Sequence, residues 1–119
     1  MSVASPPGPW VELGPVERIP RRGACVVDTS YGPIAVFRTG DGRVFALDDR
    51  CPHQGGPLSE GLVHGHRVTC PLHETRVCLE SGQCDGPSQE RVTVHAVRVE
   101  GGRVFLAPPS WPLSGSVRA

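Results

Sequence analysis

Two short cysteine–histidine pairs constrain this chain more than any other feature: CPHQGG at 51–56 and CPLHE at 70–74. The first sets Cys51 and His53 two apart, the second Cys70 and His73 three apart, with sixteen residues between the pairs. A thiolate and an imidazole delivered together, twice, suit zinc or an iron–sulfur centre, whereas magnesium and calcium prefer oxygen. Zinc ribbons and fingers close with C-x2-C knuckles or a helical H-x3-H. Here each segment offers one sulfur and one nitrogen, and neither lies in a helical pattern. A structural zinc module is therefore an unusual occupant, and it stays open as an alternative.

Two loops can share one metal only if a scaffold brings them together, and the flanking sequence reads as sheet. Three short β-branched runs, 25–31, 34–38 and 44–47, are separated by Tyr31-Gly32-Pro33 and Gly40-Asp41-Gly42. Near the end, VTVHAVRVE turns at Gly101-Gly102 into Val104, Phe105 and Leu106, the signal of a two-residue hairpin. Between the pairs, LVHGHRVT reads as a hairpin turning at His64 to His66. No stretch offers an amphipathic helix of three turns. The expected class is all-β, with both Cys/His segments in loops that follow strands.

Composition bounds the rest. At 119 residues the chain supports one domain with a modest core, to which a bound metal would add stability. MSVASPPGP and PPSWPLSGSVRA are rich in Pro, Ser and Gly, so 1–9 and 109–119 read as tails around a domain at 10–108. Twelve basic and twelve acidic residues cancel, leaving no field to attract nucleic acid or an anionic membrane. No apolar run is long enough to span a bilayer, and the first residues lack a signal-peptide pattern. Five cysteines make a poor disulfide framework, and paired Cys and His in a reducing compartment more often bind metal; a cytoplasmic protein is expected.

A Rieske centre replaces two of the four cysteines of a [2Fe–2S] cluster by two histidines on one iron. Cys51, His53, Cys70 and His73 supply that set, and their spacing resembles the Rieske family pattern of C-x-H followed by C-x-x-H. The resemblance implies an antiparallel β sandwich or barrel with a small cluster-binding subdomain of two loops. It further implies that Cys51 and Cys70 hold the inner iron, and His53 and His73 the iron nearer solvent. High-potential members carry an extra cysteine in each loop, and a Ser and a Tyr beside the cluster. Gly56, Leu72, Thr75 and Val77 stand at those positions here, which implies a potential toward the low end of the Rieske range, about −150 mV.

Within the family, CPHQGGPLSEGLVHGHRVTCPLHETRVCLESGQ resembles the small subunit of assimilatory NAD(P)H nitrite reductase. That resemblance implies an electron-transfer role beside a large flavin and sirohaem subunit, with nitrite reduced to ammonium. Val77 and Cys78 depart from it, and VCLESG is closer to the Rieske ferredoxins of ring-hydroxylating dioxygenases, whose partners would be an oxygenase and a ferredoxin reductase. In either case this chain would perform no bond-making itself, and Gln54, Pro57, Glu60 and Glu74 are candidate partner contacts.

The remaining candidates read as structural. Cys25 is expected as a small core residue, Cys78 and Cys84 as buried or incidental thiols, and Leu58, Leu62 and Leu72 as packing beside the cluster. His64 and His66 are expected as solvated turn residues, and His95 as a strand residue without a special role. Asp48, Asp49, Arg50 and Glu60 are expected as a solvated rim, with the seating of a partner as the sharper alternative.

Overall fold

The computed structural model describes residues 10–29, 32–50, 56–71, 75–85, 90–107 and 113–118, the last as backbone. Among these residues ten strands run β1 Val11–Pro15, β2 Gly23–Thr29, β3 Pro33–Arg38, β4 Val44–Asp48, β5 Leu62–His64, β6 Arg67–Thr69, β7 Arg76–Cys78, β8 Val94–Glu100, β9 Arg103–Ala107 and β10 Leu113–Arg118. Single 3-10 turns occupy Val16–Arg18 and Leu58–Glu60, and among the described residues there is no α-helix. Seven strands form one curled antiparallel sheet in the order β1-β9-β8-β4-β3-β2-β10, and β5-β6-β7 form a second, smaller sheet. The all-β expectation, with a small subdomain beside a larger sheet, is met. Among the described residues, no helix is long and apolar enough to cross a membrane.

The sequence of β3 explains how the two sheets are joined. Pro33-Ile34-Ala35-Val36-Phe37 is apolar without alternation, as a strand buried on both faces requires. Ile34 and Val36 face a core built with Leu13, Cys25, Val27, Ala46, Val104 and Leu106, inside the curl of the large sheet. Ala35 and Phe37 face a second core with Leu47, Leu58, Val63, Val68, Cys70, Val77 and Leu79. One strand therefore serves as the wall between two cores. Each of its four residues Ile34 to Phe37 is fully buried.

Hairpin chemistry fixes the registers. Gly101 and Gly102 both have positive φ, 60° and 77°, as a two-residue turn matched to strand twist demands, and they close β8 onto β9 from Glu100↔Arg103 outward. The hairpin read around His64 to His66 forms as β5–β6, with Gly65 at its turn.

Three strands were not legible in the sequence. β1 contains Gly14 and Pro15 and bulges between Glu12 and Gly14, so no alternating pattern announces it. β7 has three residues, too few to show a period. The reading of 109–119 as a tail that cannot order itself is corrected by β10, which pairs Leu113↔Thr29, Val117↔Val27 and Arg118↔Val26 along β2. Composition judges whether a segment can bury apolar surface. Addition to an open sheet edge is held by backbone hydrogen bonds, to which composition is blind.

Candidate metal centre

Both Cys/His loops depart from the face of the structure built around the second core. The first begins where β4 ends at Asp48 and returns at the Leu58–Glu60 turn; the second joins β6 to β7. Of the four expected ligands, Cys70 is described, and Cys51, His53 and His73 lie outside the described residues. Cys70 directly follows β6 and is 3% exposed. Its N–H donates to Thr75 O at 2.9 Å, one step beyond the Thr69↔Arg76 pair, so the ladder continues into the loop. Leu58, at the return of the first loop, is wholly buried in the same core as Cys70. The bases of the two loops are thus packed together.

Close approach of backbone reinforces this junction. Gly61 N–H donates to Leu58 O at 2.9 Å, and a Cβ on Gly61 would lie 2.1 Å from Thr69 O. Only glycine allows the segment leaving the first loop to lie against the residue that precedes Cys70.

Of the residues read as a solvated rim beside the first loop, Asp48 and Asp49 are instead bonded inward, which corrects that reading for these two. Asp49 is 9% exposed; its Oδ1 accepts from Ser59 N–H at 2.7 Å and its Oδ2 from Ser59 Oγ at 2.9 Å. Its own N–H donates to Pro33 O at 3.0 Å. Asp48 Oδ1 lies 2.8 Å from Nε2 of His95, a buried ring, where β4 pairs with β8. His95 thus has a defined partner. The signal available in sequence was only an Asp-Asp pair next to a cysteine, which looks the same whether the carboxylates face solvent or bind across a loop. Arg50 and Glu60 are exposed, as expected.

The other candidates separate cleanly. His64 Nε2 lies 2.8 Å from Thr69 Oγ1. His66 is a partly exposed turn residue, as expected, with partners of its own: Nε2 lies 3.0 Å from Asp41 Oδ2, Nδ1 3.5 Å from Glu80 Oε2, and the ring sits 5.3 Å from that of Phe45. The two histidines therefore engage different partners and do not chelate together. Among the described residues no group of three or more His, Cys, Asp and Glu side chains gathers as a second metal site.

Cys25 is a buried core residue, as expected, and burial pushes its thiol pKa up. It belongs to the core on the far side of β3 from Cys70. Cys84 is buried opposite Val77, while Cys78 is half-buried on the other face of its strand. A hydrogen bond with the Ser81 side chain holds the Cys78 pKa below its ordinary value. Leu58 packs as expected, but Leu62 does not: it is 74% exposed, because β5 turns Val63 inward and Leu62 outward.

An antiparallel β scaffold that presents two Cys/His loops from adjoining bases defines a class of protein, the small redox domains that hold a cluster between paired loops. Comparison with known proteins makes the assignment specific. The sequence profile of the Rieske [2Fe-2S] domain matches residues 9–99, and the chain belongs to that family. The 3-phenylpropionate/cinnamic acid dioxygenase ferredoxin subunit of Escherichia coli K12 is 38% identical over 97 residues, covering 80% of this chain and 90% of that protein. The ferredoxin of carbazole 1,9a-dioxygenase from Nocardioides aromaticivorans IC177 superposes with a TM-score of 0.75 at 25% identity, covering 85% of this chain and 99% of that one. A protein assigned as an NADH-dependent nitrite reductase small subunit from Mycobacterium tuberculosis superposes with a TM-score of 0.76 at 25% identity, covering 84% and 95%.

A domain of this family carries a Rieske-type [2Fe–2S] cluster. The residues present suit that group. The sequence supplies two thiols and two imidazoles at 51, 53, 70 and 73, and Cys70 occupies a buried position at the joint base of the two loops. The chain is a Rieske electron-transfer protein.

Proposed function

We propose that the chain is the ferredoxin component of an aromatic-ring dioxygenase system, taking electrons from a ferredoxin reductase and passing them to an oxygenase. The observation that carries this reading is the 38% identity to a dioxygenase ferredoxin subunit over 97 residues, 90% of that protein's length. VCLESG at 77–82, the part of the sequence that departs from the nitrite reductase pattern, supports the same choice. Cys51 and Cys70 hold one iron and His53 and His73 the other, in a cytoplasmic protein that performs no bond-making itself. The cluster, when bound, supplies one-electron exchange at irons that have no open position for substrate.

Val77 supports a potential near the low end of the Rieske range. It stands where high-potential members carry a tyrosine, and it is a fully buried apolar side chain packed in the same core as Cys70. With no hydroxyl at that position, one hydrogen bond to the cluster side is lost and the oxidised form is favoured.

The second reading, a small subunit of NAD(P)H nitrite reductase docked on a flavin and sirohaem subunit, is supported by the likeness to the Mycobacterium tuberculosis protein. Co-purification from the native host separates the two. Recovery with an oxygenase, and electron delivery to it that depends on this chain, is the expected result. Recovery with a sirohaem reductase whose nitrite turnover falls when this chain is removed would transfer the assignment.

A further inference from the structure

Among the described residues, no strand pairing joins the two ends of the first cluster loop. Its departing strand, β4, lies in the large sheet, while the chain after it enters the small one, and these two sheets share no strand pairing. A side chain spans the gap instead. The Asp49 carboxylate, two residues before Cys51, accepts two hydrogen bonds from Ser59, at 2.7 Å from the backbone N–H and 2.9 Å from the hydroxyl. At 9% exposure it is nearly withdrawn from water, where a carboxylate is tolerated only when hydrogen-bonded. The segment that bears it is itself fixed: Asp48 N–H donates to Thr93 O and Asp49 N–H to Pro33 O, each at 3.0 Å. On the far side, the Ser59 turn is fixed by the buried Leu58 and by the Gly61 contact with Thr69.

We infer that Asp49 is a positioning residue for the cluster: by clasping Ser59 it holds the two ends of residues 50–58 together and sets the span from which Cys51 and His53 reach the irons. Both oxygens of the carboxylate are used on one residue, so the clasp fixes orientation as well as distance. This inference rests on the assignment of Cys51 and His53 as ligands. It adds that a residue which binds no iron controls how firmly the iron is held.

The test compares anaerobically purified holoprotein with its Asp49→Ala, Asp49→Asn and Ser59→Ala variants. It follows iron release to an external chelator and the electron paramagnetic resonance of the reduced state. Val27→Ala, which weakens the core on the far side of β3, serves as the control for general loss of stability. Asp49→Ala should release iron on the order of tenfold faster than wild type, since two hydrogen bonds to a charged acceptor are lost. Its resonance should broaden as the ligands sample more geometries. Ser59→Ala, which keeps the backbone donor, should show a smaller increase. Asp49→Asn, which keeps a carbonyl acceptor for that donor, should fall between wild type and Asp49→Ala. If Asp49→Ala does not fold, Ser59→Ala and Asp49→Asn carry the comparison. Release at the wild-type rate with an unchanged resonance, or equally fast release from Val27→Ala, would overturn the clasp. Wild-type protein without two irons and two sulfides would instead overturn the ligand assignment on which it rests.

Discussion

The two loops that carry the proposed ligands are fastened in different ways. Residues 70–75 join neighbouring strands of one small sheet, and their ends are fixed by the β6–β7 register and by the Cys70–Thr75 backbone bond. Residues 49–57 join two different sheets, and their ends are fixed by a buried carboxylate and a glycine contact. A loop within a hairpin takes its geometry from strand pairing, which many sequences can supply. A loop that bridges two bodies needs particular side chains, and its tolerance to substitution should be correspondingly low.

The largest effects should come from the ligands, where the two loops ought to behave alike. Cys70→Ala and His53→Ala should each lower iron to near zero per chain and weaken folding, because cluster binding is coupled to folding. Iron and labile sulfide analysis with a thermal melt checks this. His64→Ala should keep the full complement, since its ring partner is Thr69.

Next in size is Gly61→Ala, which attacks the junction where the loops meet. A methyl group 2.1 Å from Thr69 O forces the first loop's return away from β6. A cost of about 1–3 kcal/mol is expected in denaturant unfolding, with faster iron loss. If Gly61→Ala matched wild type in both, the two loops would be independent and the account of their shared base wrong.

A smaller effect is expected from Cys78→Ser. Cys78 is the only half-buried thiol among the described cysteines, and Ser81 lowers its pKa, so alkylation among those residues should reach it first. The variant should keep its iron and its resonance. Loss of cluster would mean that a thiol beyond Cys51 and Cys70 takes part.

The smallest effect should follow Asp41→Asn. Asp41 ties the β3–β4 turn to His66 of the small sheet, but both partners are well exposed and the pair is screened. A hydrogen bond from Thr39, then His66, holds the Asp41 pKa down at about 2, below its ordinary 3.8. A depressed acidic pKa contributes stability that is present above the ordinary value and lost as pH falls through the depressed one. Between pH 5 and 8 the difference between wild type and Asp41→Asn should therefore be small and flat. A difference that persists undiminished as pH falls through about 2 would contradict the Asp41 link.

How much of this was legible beforehand follows the same division. The hairpin around His64 to His66, the Gly101-Gly102 turn and the strands at β2, β3 and β4 could be read because turn residues and β-branched runs are local signals. The proposed ligand set stands out in the sequence because Cys and His at fixed spacing carry chemistry whatever the fold. The roles of Asp48, Asp49, Ser59 and His95 were not, since each depends on a partner brought close only by folding. β10 was hidden for a related reason, because the edge of β2 decides it and the short mixed sequence LSGSVR at 113–118 does not. The redox system was not legible in the motif, which marks the cluster; the proposed dioxygenase reading rests on identity over 97 residues, 80% of this chain.

The most direct test of the central claim is the electron paramagnetic resonance spectrum of the anaerobically purified, reduced protein. The account predicts the signal of a [2Fe–2S] cluster whose average g value lies below that of an all-cysteine cluster, lost on His53→Ala or His73→Ala and kept on His66→Ala. A signal of the all-cysteine kind, or stoichiometric zinc with no signal, would contradict it.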